Sequence, residues 1–430
     1  MKKLSIIFFL HLISLIFISL AFPSSTTIAR TIYVDDLNDG KEGTGTFEDP
    51  FRDLQRSIDL ASDKDTIKIR PGQYVASPSE YIEDLCGNCE NHKTEVKATT
   101  GFYIHNKSLI LIGSGPDQTI LSTQAGYGIL FDHSRGSLIK NLRITDGIRD
   151  PDGNATDAGI VTKFSAVTIT EVEIVDNTHQ VEGVVVGIGG IFGRENSELF
   201  ITNNVIVNNG WDGVALYRGA TAYIADNVIR QGRGAGIGIT WDAVATVYRN
   251  KISEYWKGIG SFGDSKAVVR NNLVYDNLGW GIIATGSSTM DASNNIIYHN
   301  GNCGFAIWGK DAKGRATNNI IAKNGWRKEW VCPCVGIWSA EENANFEISY
   351  NDIWENQAGN YRDLPDLTGK NGNISLDPKF STVGGSASGG EDDFRLKSDS
   401  PLIDKGNPLL TEPDGTISDL GIFGGPNSRR

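Results

Sequence analysis

The chain has 430 residues, of which 39% are hydrophobic and 21% charged, and its formal net charge is −12. This length can bury a large core. The acidic balance, with no basic stretch to offset it, excludes a nucleic-acid partner. An acidic polysaccharide stays admissible if a local basic patch or a bound cation meets it.

The first predicted element is a leader. Lys2-Lys3 precede an apolar run from Leu4 to Leu20 with no charged stop-transfer flank, the pattern of a signal peptide, with cleavage after Ala21 or Ala29. No later segment is long and apolar enough to span a bilayer. The mature protein is therefore expected to be exported, secreted or periplasmic, soluble and monomeric. We divide the chain into a leader (1–29), an N-terminal cap with the first strands (30–100), a repeat region (101–357) and a C-terminal cap (358–430).

In the N-terminal cap, Asp49-Pro50 is expected to open a helix whose apolar face is Phe51, Leu54, Ile58 and Ala61. Thr66–Ile69 follows as a strand and Pro71-Gly72 as a turn. Next comes Cys86-x-x-Cys89 in a polar stretch. Export permits a local disulfide there; a zinc site would need two further ligands, with His92 as one candidate. The other cysteines are Cys303, Cys332 and Cys334. Aligning Ile307-Trp308 with Ile337-Trp338 sets Cys303 one repeat away from the other two, close enough for a bridge that leaves one thiol over.

The repeat region carries Asn-x-apolar anchors at Asn204, Asn227, Asn250, Asn272, Asn295 and Asn319, spaced 23, 23, 22, 23 and 24 residues apart. A glycine–apolar pair keeps step: Gly128-Ile129, Gly159-Ile160, Gly190-Ile191, Gly213-Val214, Gly236-Ile237, Gly258-Ile259, Gly281-Ile282, Gly304-Phe305 and Gly336-Ile337. A unit of about 23 residues is too short for a helix pair and half the length of a propeller blade, and leucine is not its repeated residue. Short β-branched bursts separated by Gly and Asn give three strands per unit. The expected fold is all-β, a single-stranded parallel β-helix (solenoid) of about nine coils with an N-terminal amphipathic helix cap. Coils stack about 4.8 Å apart, the Asn row forms an amide ladder, and a cap covers each end.

The opening D-P-F-x-x-L-Q-x-S-I and D-T-I-x-I-x-P-G-x-Y motifs resemble the start of exported β-helix proteins of the pectate-lyase-like superfamily. L-D-P-x-F, F-R-L-x-x-x-S-P-L-I-D-x-G and the later D-x-G-x-F-G-G resemble the ending of its bacterial members. The coils resemble its carbohydrate-binding and sugar-hydrolase repeats. The resemblance implies that the parallel β-helix is right-handed and handles a polysaccharide. Its activities include lyases, hydrolases, epimerases and proteins without catalysis. Asp35-Asp36 and Asp392-Asp393 are acidic doublets but fall in the caps. Ile129-Leu130-Phe131-Asp132-His133 is a distant echo of a pectate-lyase strand.

Insertions gather in the turn before each glycine–apolar pair, at 146–158, 176–189 and 324–335, and build walls on one side of the solenoid. That turn carries Trp211, Asp212, Arg233, Trp256, Lys257, Trp280, Trp326 and Trp330. Trp211 and Trp256 stand on one row two coils apart, about two sugar units. Their flat apolar faces suit sugar rings or, more plainly, pack over the loops. Asp212, Arg233 and Lys257 occupy neighbouring positions on three coils. β-Elimination of a uronate needs a cation to neutralise the carboxylate and a base for the C5 proton, roles open to Arg233 and Lys257, with His299 as another base. The plainer reading is a row of surface ion pairs. Asp150, Asp152, Asn154 and Asp157 space oxygen ligands around Gly153 as part of a Ca2+ loop. The opposite turn, with His133, Lys163, Arg194, Glu195, Arg218, Asp242, Asp264, Lys310 and Asp311, reads as a solvated face. The expected function is binding and cleavage of a polysaccharide, with a lyase of acidic glycans ahead of a glycoside hydrolase. The alternative is a non-catalytic glycan-binding or adhesion protein.

Overall fold

The computed structural model describes residues 29–36, 42–179, 187–340, 345–383 and 392–428. Residues 1–28 of the expected leader, residues 180–186 of the 176–189 insertion and the Gly/Ser stretch at 384–390 lie outside them. Each repeat folds into three short strands, because every burst of alternating apolar residues ends at a residue held in the left-handed region. The residues before the Asn anchors take this conformation: Asn203, Asp226, Arg249, Asn271, Asn294 and Asn318, with φ between 52° and 60°. Asn and Asp tolerate it best, which is why this corner is rich in them.

Parallel strands from successive coils pair along two sheets. A front sheet of 12 strands holds the segment that begins at each glycine–apolar pair. A long sheet of 21 strands wraps the other two faces, bending at the Asn anchors. Ten coils carry all three faces, from Val96–His105 to Ile337–Ser339. Nine begin at the glycine–apolar pairs and one more, at Gly101-Phe102, precedes them. The stacking reaches back further, since Thr31–Val34 pairs with Thr66–Ile69 and that strand with Ile110–Ile112. Ile129, Ile160, Ile191, Val214, Ile237, Ile259, Ile282, Phe305 and Ile337 form a continuous inward row, all fully buried. Each contributes about 1.5–3 kcal/mol by leaving water.

The anchors form the expected ladder. Nδ2 of Asn204 donates to Oδ1 of Asn227 at 3.0 Å, and the pattern runs unbroken through Asn250, Asn272, Asn295, Asn319 and Asn351 to Asn373. Each amide also donates to a backbone carbonyl, as Asn227 does to Ile201 at 3.0 Å, so buried polar groups are satisfied rather than stranded. A second ladder stands five residues further on. It joins Asn177 to Asn209, and Asn277 to Asn300, Asn324 and Asn356. It is interrupted where Gly232 and Tyr255 replace asparagine. The Tyr255 ring fills the space beside Gly232, and its hydroxyl is buried without a hydrogen-bond partner.

The N-terminal helix spans Leu54–Leu60 and lies over the first coil through Leu54 and Ile58. It starts later than Asp49-Pro50 suggests. Phe51 is held extended against Val34, its N–H donating to Tyr33 O at 2.9 Å, and Asp53 is the cap, accepting from Arg56 N–H at 2.6 Å. The Lys107 ammonium closes the other end on the Ile58, Asp59 and Ala61 carbonyls. The C-terminal cap packs Phe394, Leu402 and Leu420 on Leu273, Ile296 and Ile320.

Candidate functional site

The outer face of the front sheet is covered by a lid at each end and is bare of one between, where Ala215, Gly238 and Gly260 are buried by side chains of the coils themselves, Asp212 over Gly238 and Phe262 over Gly260. One outward row reads Leu130, Val161, Phe192, Ala215, Gly238, Gly260, Ile283, Ala306 and Trp338. At the N-terminal end a flap folds over it. Ser79–Glu83 pairs antiparallel with Val96–His105, the sulfurs of Cys86 and Cys89 are joined, and Val96, Ala98 and Cys86 pack on Tyr127, Leu130, Val161 and Phe192. At the other end Cys332 and Val335 cover Trp280, Ile283, Cys303 and Ala306.

A buried ionic network pins the flap, and it corrects the expectation of a solvated face. Arg194 is wholly buried and pairs with Glu83, whose carboxylate also takes bonds from Lys163 at 3.1 Å and the Tyr127 hydroxyl at 2.6 Å. His92 meets Glu195 at 2.7 Å. Lys163, Arg194 and Glu195 alternate in sign because they pair beneath the flap, not because they face water. Against the penalty of burial, the Arg194 and Lys163 charges hold the Glu83 carboxyl below its ordinary value.

Between the lids runs the row Asp212, Ala235 and Lys257, which continues to Trp280, so the expected alignment of Asp212 and Lys257 is real. Trp280, expected at the sugar-binding surface, is 3% exposed beneath the C-terminal lid and offers no ring face to a sugar. Asp212 Oδ1 accepts the Ala235 N–H at 2.6 Å. Its Oδ2 lies over Gly238, 3.3 Å from where a Cβ would stand. Desolvation pushes the carboxyl up to about 6, despite the Ala235 bond and the Lys257 charge. Burial also lowers the Lys257 ammonium, with Asp212 opposing the shift. The ammonium sits 5.7 Å from the Phe262 ring centre and 5.9 Å from that of Trp280. A half-buried acid and a half-buried amine, each moved toward neutrality, thus stand on one row between the lids.

The other expected residues frame the patch unevenly. Trp211 is 38% exposed and lines a recess of about 270 Å3 with Asn154, Asp157, Phe192 and Tyr217. Trp256 packs edge-on against Trp280 and Trp330 at 5.9 and 5.2 Å, with Arg327 over its face; Trp330 is 71% exposed. Arg233 is exposed on the intervening turn. His299 lies outside the Asp212–Lys257 row. Its Nδ1 meets Asp276 at 2.5 Å and its ring stacks on Trp326, which donates to the His299 carbonyl at 2.8 Å.

Of the four oxygen ligands, Asp150 and Asp157 converge and are buried. Asp150 accepts from Thr99 N–H and hydroxyl at 2.9 and 2.8 Å, and Asp157 Oδ1 has no partner. Burial raises both carboxyls. Asp152 is turned to the N–H groups of Lys97 and Asn154, and Asn154 is exposed. Cys303, Cys332 and Cys334 are buried free thiols. The register pairs Phe305 with Ile337 and Ala306 with Trp338, two residues off the expected alignment of Ile307-Trp308 with Ile337-Trp338. Cys303 still faces Cys332, unbridged, and burial raises its thiol well above the ordinary value.

Sequence reasoning missed Trp308 and Trp338. Trp308 stacks on Trp280, with centres 6.2 Å apart and planes at 25°, and contacts Trp338 at 5.8 Å. They stand at different offsets from their glycines, Trp308 four after Gly304 and Trp338 two after Gly336, so the repeat pattern did not mark them as neighbours.

Residues 189–353 match the family model described as a right-handed β-helix region. The molecule is a right-handed parallel β-helix. This is the fold implied by the resemblance to the pectate-lyase-like superfamily. Among solved structures, the β-helix is similar to the mannuronan C-5 epimerase AlgE4 A-module of Azotobacter vinelandii, at 16% identity and a TM-score of 0.49, over 75% of this chain and 95% of that one. It is similar to the pectate lyase Pel9A at 15% identity and a TM-score of 0.49, over 92% and 96% of the two chains. It is similar to XylC, solved with xylose, at 11% identity and a TM-score of 0.44, over 83% and 88%. A search of curated protein sequences gives no match. Among the described residues, no helix is long and apolar enough to cross a membrane.

Proposed function

We propose that this β-helix is an exported, monomeric protein that binds an acidic polysaccharide over the bare stretch of its front sheet and cleaves it, by β-elimination ahead of hydrolysis. The observation that carries this reading is the Asp212–Lys257 pair, partly desolvated and flanked by Trp211, Trp256 and Trp280. Trp211 and Trp330, whose rings are exposed, hold sugar faces, and the buried Trp280 supports Trp256 edge-on. Arg233 meets the uronate carboxylate and makes the C5 proton more acidic. Asp212, ionised at neutral pH, takes that proton; the electron pair forms the C4–C5 double bond, and Lys257 protonates the departing oxygen. His299, held by Asp276 and stacked on Trp326, positions substrate at the rim. Calcium belongs to the same reading: Asp150 and Asp157 would hold it, the unpartnered Asp157 oxygen and the paired buried carboxyls being the features that fit, while Asp152 and Asn154 would have to turn toward it. Bound there, the ion would neutralise the two carboxylates.

The test is incubation with a panel of polyuronates. The expected result is a rise in the ultraviolet absorbance of the unsaturated product, lost by about 10²- to 10⁴-fold in Lys257→Ala. New reducing ends without that absorbance would favour a hydrolase. Retention on a glycan column without turnover would favour the binding module, and unchanged rates in both Lys257→Ala and Arg233→Ala would reject the assignment.

A further inference from the structure

A second cluster of chemistry lies at the far end of the front sheet, where its first two strands turn into the long sheet. His105 and Asp132 are register partners at the ends of Val96–His105 and Tyr127–Asp132. His133 follows with φ 53°, and this corner swings its ring back over the carboxylate. His133 Nδ1 lies 2.7 Å from Asp132 Oδ1, and His105 Nδ1 3.4 Å from Asp132 Oδ2. One ligand atom from each residue lies within 4.8 Å of the other two. The carboxylate is buried and both imidazoles are exposed, so the cluster opens to solvent on one side.

The surrounding contacts hold these groups in place. His105 stacks on Tyr103 at 5.4 Å and His133 on Phe164 at 4.6 Å, fixing both rings. The Tyr81 and Tyr103 hydroxyls donate to Asp132 Oδ2 at 3.3 and 3.2 Å. The Asn106 amide nitrogen Nδ2 lies 2.7 Å from His105 Nε2. Turning the amide over brings its oxygen there to accept the Nε2 proton, which frees the Nδ1 lone pair for a metal. A supporting hydrogen bond on the other ring nitrogen and on the carboxylate is the arrangement that metal ligands need. Nearby, the Lys163 ammonium reaches the Tyr81 hydroxyl at 2.8 Å but is committed to Glu83, so its charge is largely balanced.

We propose that His105, Asp132 and His133 form a binding site for a divalent transition metal of the zinc class, through the two Nδ1 atoms and one carboxylate oxygen. Two imidazoles and a single carboxylate select zinc, copper or nickel over calcium or magnesium, which take all-oxygen shells. Bonds of about 2.0–2.1 Å in a tetrahedral shell set neighbouring ligand atoms roughly 3.3 Å apart, so the His133 ring need shift by less than about 1 Å. Three protein ligands leave a fourth position for water or a ligand group. The site stands apart from Asp212 and Lys257 and does not depend on the carbohydrate reading.

The test is titration calorimetry of Zn2+ into the chelator-treated full chain. One equivalent binds. The double variant His105→Ala/His133→Ala loses at least a hundredfold in affinity, and Tyr103→Phe, which removes only a supporting hydrogen bond, loses roughly 10- to 100-fold. No uptake by the wild type overturns the proposal. Equal uptake by the double variant also overturns it, because the metal then sits on other histidines or on thiols. Circular dichroism checks the fold of each variant. If the double variant melts early, the Cu2+ spin-resonance spectrum of the wild type decides: coupling to two imidazole nitrogens supports the site, and one or none contradicts it.

Discussion

Asp212 and Lys257 are ordinary residues that the coil geometry makes reactive. In an unfolded chain they would titrate about six units apart. On the front sheet the carboxyl rises to about 6 and the ammonium falls. A rate that needs ionised Asp212 and protonated Lys257 therefore rises with pH through an acid limb near 6 and falls on an alkaline limb below the ordinary lysine value. Lys257→Arg should move the alkaline limb out of range and leave the acid limb in place; a profile unchanged on the alkaline side would remove Lys257 from the proton path. The pairing was legible in the sequence, since both residues sit at fixed offsets from their glycines. The perturbation was not. It depends on Gly234, Ala235 and Gly238 of the intervening coil closing around the carboxylate, a contact between coils that no single repeat reveals.

The strands were legible from period and composition, and the Asn ladder from its anchors. The second ladder was equally visible, as an Asn five residues after most anchors, but its interruption at Gly232 and Tyr255 hid it. Within the unbroken ladder each side chain serves two neighbours. Asn250 accepts from Asn227 and donates to Asn272, so Asn250→Ala strands a buried donor and an acceptor. A loss of about 2–6 kcal/mol, from about 1–3 for each unsatisfied group, is expected in denaturant unfolding; a loss under about 1 kcal/mol would mean that water takes the place of the amide. Under the C-terminal cap, Asp352 stands where neighbouring coils have Ile320 and Ile296. Its Oδ1 accepts Leu376 N–H at 2.9 Å and its Oδ2 is unpaired. Desolvation raises this carboxyl to about 8. The folded state thus holds a proton that the unfolded chain gives up near 3.8. The associated stability is complete below that value and is lost progressively as pH rises toward 8. Asp352→Asn mimics the protonated form, so its gain in melting temperature should be larger at pH about 8 than at pH about 5. An equal effect at both values would contradict the assignment.

At the scale of the whole molecule, two lids turn a uniform solenoid into a protein with one bare window. The sequence showed where insertions fall, and so located the C-terminal lid at 324–335. It misread the N-terminal lid, because the residues that fasten it, Glu83 and Arg194, lie 111 positions apart and look like surface charge when read locally. Glu83→Gln takes from the buried Arg194 the nearer of its two counter-charges and leaves only Glu195 at 3.4 Å, at a cost of up to about 3–5 kcal/mol, and should open the flap to proteolysis near residues 79–96. Resistance equal to that of the wild type would mean that apolar contacts alone hold the flap.

The window's role as the ligand face is tested most directly by hydrogen–deuterium exchange with and without an acidic oligosaccharide. Protection should concentrate at residues 211–217, 233–240 and 256–262 and fade under both lids. Protection confined to other faces, such as the N-terminal recess lined by Asp36, Arg52 and Gln73, or absent from the window while the oligosaccharide is bound, would contradict it.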